Sequence, residues 1–417
     1  MTNPPEDNLP APIIASGGVS DGSQQETASV EPQSDVPAAF GIDPAASAPG
    51  PLAETSDSQP NVDRPLFYAY TQSAVRRPVR IPHFGHLLIV SLLIAVAAAI
   101  VGLGIAIASQ LGWKIPAAAT ADLQFNLLSE GAIYLIAFVL SLIVFPLVWN
   151  EGYFAGLQWR SIMVRSRFWI LAGISLACFV LAFLDQVLLP GPPNAPIEKM
   201  MSSPSAAWLM FGFGVTLAPF FEEMYFRGFM LPAMCTVADW TEESLFARPE
   251  LKISEQTRVA LSIPAMLLVC GVSVGVPSAI GYVAYQGLTS TGHHRAAIFS
   301  IAVIVGAGIY CGLRSMRSST ADQHIKLDAA GHPHWSMPAM IVGSIATTIP
   351  FALLHVEQQG HSLGPFLDIL AVSLILCAVR LLTRSLAAST IVHAVYNFFI
   401  FTIELIGTGG FRHFDRM

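Results

Sequence analysis

Charge is scarce in this 417-residue chain: Asp, Glu, Lys and Arg make up only 12% of it, about half the roughly 25% usual in soluble domains. That shortage, beside 53% hydrophobic residues and a mean hydropathy of +0.58, excludes an ordinary soluble protein. Cysteine is scarce too. Cys178, Cys235, Cys270, Cys311 and Cys377 all fall inside apolar runs without Cys-x-x-Cys spacing. They read as small packing residues, not as a disulfide framework or a thiolate metal site. Lys and Arg are absent from the first 63 positions, which hold ten acids, so the formal charge of −7 splits into −10 for that stretch and +3 for a mildly basic remainder. No stripe of Lys and Arg points to nucleic acid as a partner. No basic-then-apolar leader opens the chain, so the first apolar run is expected to act as an uncleaved anchor. No internal repeat is visible, which weighs against the duplicated architecture of many secondary transporters.

What is abundant is apolar sequence in runs of about 18 to 28 residues, long enough as helices to cross about 30 Å of hydrocarbon. The expected fold class is all-α, a polytopic membrane helical bundle of about eight to nine transmembrane helices. Nine candidate spans lie at about 86–109, 127–148, 168–190, 207–236, 259–286, 296–315, 337–357, 364–383 and 386–406. Residues 1–64, rich in Pro, Ser, Ala, Gln and acids, cannot bury enough surface to order themselves and read as a disordered tail. The transmembrane domain is expected over 80–408, followed by a short tail at 409–417. Cytoplasmic loops collect Lys and Arg. With the N-terminus cytoplasmic, sixteen of the 21 basic residues fall on the inside, which supports that orientation and an odd number of spans. The polar stretch 149–167 is expected to lie along the cytoplasmic surface. The bilayer is therefore the first partner; the oligomeric state is not legible. A bacterial inner membrane suits such a chain.

Ionisable groups at hydrocarbon depth cost several kcal/mol each and are rarely present without a role. Three constellations stand out: Glu222-Glu223 with Arg227, Phe351 with His355, and His393 with Asn397. Glu223 and Arg227 are spaced i, i+4 with the acid first, the favourable order for an intrahelical ion pair. Adjacent helical residues point about 100° apart, so Glu222 is left to face a cavity as a general base. The ion pair alone would also serve as a structural staple between helices. Pro350, just before Phe351, suits a membrane helix that lines a cavity. His393 and Asn397 project from one helical face and suit an oxyanion site, or a plain interhelical hydrogen bond. Together these are the groups needed to hydrolyse a peptide bond. Two His and two Glu could also ligate zinc, but no His-Glu-x-x-His occurs, and no cofactor is the more economical expectation. Asp185, Gln186, Asp368 and Glu404 read as interfacial or helix-bridging.

In order, residue types and helical placement these motifs resemble the CAAX protease and bacteriocin-processing family, also called the Abi family of intramembrane proteases. Glu222-Glu223…Arg227, Phe351…His355 and His393…Asn397 match its Glu-Glu-x-x-x-Arg, Phe-x-x-x-His and His-x-x-x-Asn, and the approach Thr383-Arg-Ser-Leu-Ala-Ala-Ser-Thr-Ile-Val-His393 is similar too. The similarity covers about 165–408, with a family core at about 165–235 plus 337–408. The separation of the first two motifs is longer than usual, as if a helical hairpin at about 259–315 were inserted. The resemblance implies an endopeptidase acting on a peptide or membrane-protein substrate. Glu222, aided by His355, would activate water; His393 and Asn397 would bind the oxyanion; Glu223 and Arg227 would support them. A non-catalytic membrane regulator on the same fold is the alternative, and a proton-coupled transporter a more distant one. One tension remains. With these boundaries His355 lies near the outer end of its helix and His393 nearer the inner side.

Overall fold

The bundle is assembled around one long helix of 43 residues, the next having 35. In a computed structural model, the described residues are 82–113, 123–192, 196, 203–246, 253–289, 300–310, 326–327, 333–356 and 358–412. The expected tail 1–64, Cys311 and residues 413–417 lie outside them. The helices in chain order are α1 (Phe84–Gln110), α2 (Leu123–Trp149), the short α3 (Tyr153–Gly156) and α4 (Ser161–Ser166), then α5 (Phe168–Leu188) and the long α6 (Pro204–Phe246). They continue as α7 (Glu255–Thr289), α8 (Ser300–Tyr310), α9 (Met337–His355), α10 (Leu363–Thr383) and α11 (Leu386–Gly407). Among the described residues, eight of these are long and apolar enough to cross a membrane. The chain is thus a polytopic helical bundle. A single antiparallel pairing, Lys326–Leu327 with Pro333–His334, precedes α9.

The expected span 296–315 is described only as the shorter α8, yet chain direction gives it a purpose. Arg258 meets Glu242 at 3.6 Å, and Cys270 Sγ points to Met234 O at 3.7 Å, so α7 runs antiparallel to α6. Ser336, which caps α9, donates to the Asp239 carboxylate at 2.6 Å, while His355 at the far end of α9 approaches Glu222. Hence α9 is antiparallel to α6 as well, and α7 and α9 run the same way. The end of α7 and the start of α9 therefore lie toward opposite ends of α6, and α8 falls between them in the chain.

The same ruler removes the tension over His355. At about 1.5 Å per residue, Asp239 lies roughly 25 Å along α6 from Glu222, and His355 lies roughly 28 Å along α9 from Ser336. Because α6 is 43 residues long, roughly 64 Å, it outruns about 30 Å of hydrocarbon. Helix α9 starts beside Asp239 and runs back along α6, so its last residue reaches as far as Glu222. Contact is close throughout: a Cβ on Gly343 would fall 2.6 Å from Cys235 Sγ and 2.9 Å from its backbone N, the small-residue approach typical of membrane helix pairs. Cys178, Cys235, Cys270 and Cys377 are buried and free.

Helix α11 is set against α6 by different contacts. Its cap, Ser385, is tied by Oγ to Arg160 O at 3.0 Å, and Leu386 N–H donates to Gln158 O at 3.1 Å. Leu386 then packs on Gly228, where an added Cβ would sit 3.3 Å from its Cδ2. The stretch 149–167 is thus woven into the bundle: Tyr153 and Leu157 are buried, and Arg380 donates to Leu157 O and to Gln158 Oε1. Outward faces carry exposed Leu103, Leu147, Val187 and Leu268, as a hydrocarbon solvent allows.

Candidate active site

Glu222 and Glu223 sit where α6 changes its winding. Two π-helical stretches, Phe213–Leu217 and Met224–Met230, bracket the α-helical turn Ala218–Glu223. The first has a cause in the sequence. Pro219 lacks an N–H and its ring crowds the carbonyl one turn back, so the helix widens instead of breaking. Ala218 N–H reaches back to Phe213 O. The next acceptor in that pattern, Gly214 O, faces the N–H that Pro219 does not have. Asn397 supplies it, with Nδ2 donating to Gly214 O at 2.7 Å.

The two glutamates diverge as their helical angle requires. Glu223 is fully buried, and its Oε1 lies 2.8 Å from Arg227 Nη1. Arg227, also without exposed surface, spends Nη2 on Ser373 Oγ at 2.7 Å and Ser373 O at 3.1 Å. Ser373 passes its own proton to Thr348 Oγ1. The guanidinium lies 4.4 Å from the centre of the Phe351 ring, a cation–π distance. Phe351 also meets the His355 ring at 4.8 Å and the His393 ring at 6.0 Å. It is the wedge between the ion pair and both imidazoles.

Glu222 instead keeps 18% of its side-chain surface and faces both imidazoles: His355 Nε2 is 3.9 Å from Oε1, and His393 Nε2 is 3.8 Å from Oε2. Neither is a hydrogen bond, but such pairs are often long before substrate binds. The opposite ring nitrogens are anchored. His355 Nδ1 lies 2.9 Å from Phe351 O, and His393 Nδ1 lies 3.2 Å from Glu223 Oε1. A carbonyl and a carboxylate paired to Arg227 can only accept, so each Nδ1 carries the proton. In each neutral ring the Nε2 that faces Glu222 then offers a lone pair.

Beside Glu222 and His355 opens a cavity of about 470 Å³, within the ~300–1,000 Å³ range of small-ligand pockets. Glu223, Arg227, His393 and Asn397 are not among its lining residues. The structure therefore gathers Glu222, Glu223, Arg227, His355 and His393 into one contact network, with Asn397 attached to its supporting helix. For Asn397, expected either at an oxyanion site or in an interhelical hydrogen bond, the contact present is interhelical: Nδ2 serves the backbone of α6. We expect Asn397→Ala to leave Gly214 O unpaired and to lower stability by about 1–3 kcal/mol, read as a fall in the thermal midpoint in detergent. An unchanged midpoint would assign the amide to chemistry alone.

Sequence reasoning missed Glu130 and Tyr134, which line the same cavity from α2. Tyr134 Oη donates to Glu130 Oε1 at 2.7 Å. The signal was available: Glu130 is the one charged residue in Leu123–Trp149, inside the second expected span, and the rule that singled out Glu222 applies to it. Ser373 and Thr348 carried no such signal, being ordinary small polar residues in apolar helices. Among the described residues, no group of three or more His, Cys, Asp or Glu is set to hold a metal ion.

Apolar helices long enough to span that bury an ion pair and bring a second glutamate and two imidazoles together define a polytopic membrane protein with ionisable groups gathered in its interior. Residues 326–399 match the model of the type II CAAX prenyl endopeptidase Rce1-like family, consistent with the CAAX protease and Abi family that the three motifs resemble. The match contains the second and third motifs; the first lies outside it and is brought to them by α6. No curated protein and no solved structure matches the chain.

Proposed function

We propose that the protein is an intramembrane endopeptidase in which Glu222 activates the water that attacks a peptide carbonyl. The observation that carries this reading is the division of labour between neighbours. Glu223 is neutralised by Arg227 in a dry setting, whereas Glu222 faces a cavity between two imidazole Nε2 atoms. The Rce1-like match supports a CAAX-protease-like endopeptidase at the level of the family.

The chemistry follows from the proton inventory. A water between Glu222 and His355 donates one hydrogen to the carboxylate and one to Nε2, and so presents a lone pair to the substrate carbon. Attack forms the C–O bond, the water proton passes to Glu222, and the carbonyl oxygen becomes an oxyanion. The oxyanion role belongs to the imidazolium form of His393, which donates from Nε2 to that oxygen while Glu223 holds Nδ1; with the proton on Nδ1 alone, Nε2 is an acceptor. Collapse breaks the C–N bond, and the proton on Glu222 leaves with the amine. Arg227 and Phe351 position Glu223, His355 and His393, and Asn397 holds the α6 turn. No step calls on a metal. The substrate is a peptide or membrane protein that enters the cavity, and an N-terminus on the cytoplasmic side of a bacterial inner membrane is the orientation the basic residues favour.

The test compares new peptide termini in membranes from cells carrying the wild type, Glu222→Ala or His393→Ala at matched expression. Termini found only with the wild type are expected, and they name the substrate. In purified protein, cleavage is expected to persist in EDTA and in 1,10-phenanthroline; loss restored by added zinc would replace the water-activation scheme with a metal one. Identical termini in all three strains, with the phenotype retained, would sink the protease reading in favour of a non-catalytic regulator.

A further inference from the structure

The three motifs account for the α6, α9 and α11 side of the cavity but not for its α2 wall. Glu130 is the one charged residue there, and Tyr134, one turn on, fixes its carboxylate at Oε1 and leaves Oε2 as an acceptor. Tyr134 is itself held, its ring 5.9 Å from Phe213 and 5.0 Å from Phe221. A rigid carboxylate on a helix with no part in the hydrolytic proton inventory asks for a purpose at hydrocarbon depth. The rest of the lining indicates its ligand. It holds two glutamates, one histidine and no Lys or Arg, together with Tyr134, Phe221, Tyr225 and Phe226. Carboxylate plus aromatic walls is the environment that attracts an alkylammonium or guanidinium group. Glu222 has two imidazoles beside it; Glu130 is hydrogen-bonded to a phenol and interacts with His355 only through space. The cavity thus carries two carboxylates against a single imidazole in its lining, with no Lys or Arg there.

We propose that Glu130, oriented by Tyr134, anchors a cationic group of the substrate, a Lys or Arg side chain or a free amino terminus, and so selects which peptide is presented to Glu222. Because the cavity is taken as the substrate chamber, this assignment rests on the endopeptidase reading. Glu130 is a specificity residue here and takes no proton in the reaction. Tyr134 is a positioning residue, acting through the carboxylate it holds.

The test uses the full chain in nanodiscs and quenched fluorogenic peptides that differ only by Lys, norleucine or Glu at each position in turn. At one position the wild type is expected to show a KM about tenfold lower for Lys than for norleucine, the scale of one discriminating contact. Glu130→Gln should raise KM for the Lys peptide alone and leave kcat and the norleucine peptide unchanged. Tyr134→Phe should give a smaller rise of the same kind. A Lys preference that survives Glu130→Gln, or an equal loss of kcat on every peptide, overturns the assignment. Binding of the same peptides to His393→Ala protein, read by fluorescence anisotropy, separates the two ideas. A Lys preference in binding that Glu130→Gln removes, with no peptide cut by the wild type, keeps the cation site and removes the protease reading. No preference in either binding or cleavage overturns the cation site.

Discussion

Glu222→Gln is expected to reduce peptide-bond cleavage by about a thousandfold or more while leaving the fold intact. The substitution keeps the size of the side chain and removes the group that takes the water proton, a contribution worth about 10²–10⁴ in rate. Stability should change little, because among the described residues Glu222 meets its two imidazole partners only at 3.8 and 3.9 Å, beyond hydrogen-bond distance. The neighbouring change should behave the opposite way. Glu223→Gln leaves Arg227 buried against a neutral amide and weakens the acceptor that holds His393 Nδ1, so it should cost stability as well as rate. Single-turnover cleavage and a thermal midpoint, measured on both variants, separate the roles. Equal behaviour of the two would refute the division of labour at this site.

Arg227→Ala should be the most destabilising substitution in the network, by about 3–5 kcal/mol, the range for removing one partner of a buried ion pair. It strands the Glu223 carboxylate at zero exposure and removes the donors to Ser373 O and Oγ. It also deletes the cation over Phe351, worth about 0.5–2 kcal/mol. Arg227→Lys should rescue little, since an ammonium cannot meet Glu223 and Ser373 with the fixed fork of a guanidinium. A paired change, Arg227→Met with Glu223→Leu, removes both charges together and should restore most of the thermal midpoint. It should not restore cleavage, because His393 Nδ1 then has no acceptor to hold the ring. Recovery of cleavage in the paired variant would show that the ion pair has no hand in orienting His393.

Much of this was legible from residue spacing, and the reasons are local. The i, i+4 intervals of Glu223 with Arg227 and of Phe351 with His355 are helix geometry, so both contacts could be expected from sequence: the ion pair at 2.8 Å and the ring contact at 4.8 Å. Glu130 could have been found in the same way and was passed over because it has no motif around it. The partners of Asn397 and Arg227 could not. Gly214 O becomes an open acceptor only because Pro219 forces a π-turn, and no spacing rule links residue 214 to residue 397. Ser373 receives the guanidinium only because α10 packs beside α6.

The sequence by itself determined the class of the molecule: a chain with so few charges and so many apolar runs has to fold as membrane helices, and the rare ionisable residues within them mark the site. Only the tertiary structure decided how those residues meet. The position of His355 beside Glu222 depends on Asp239 holding the Ser336 cap of α9 far along α6, and on Gly343 letting the two helices close on Cys235. These are distances between segments remote in the chain. They are fixed by which surfaces pack together, and helical periodicity carries no information about that.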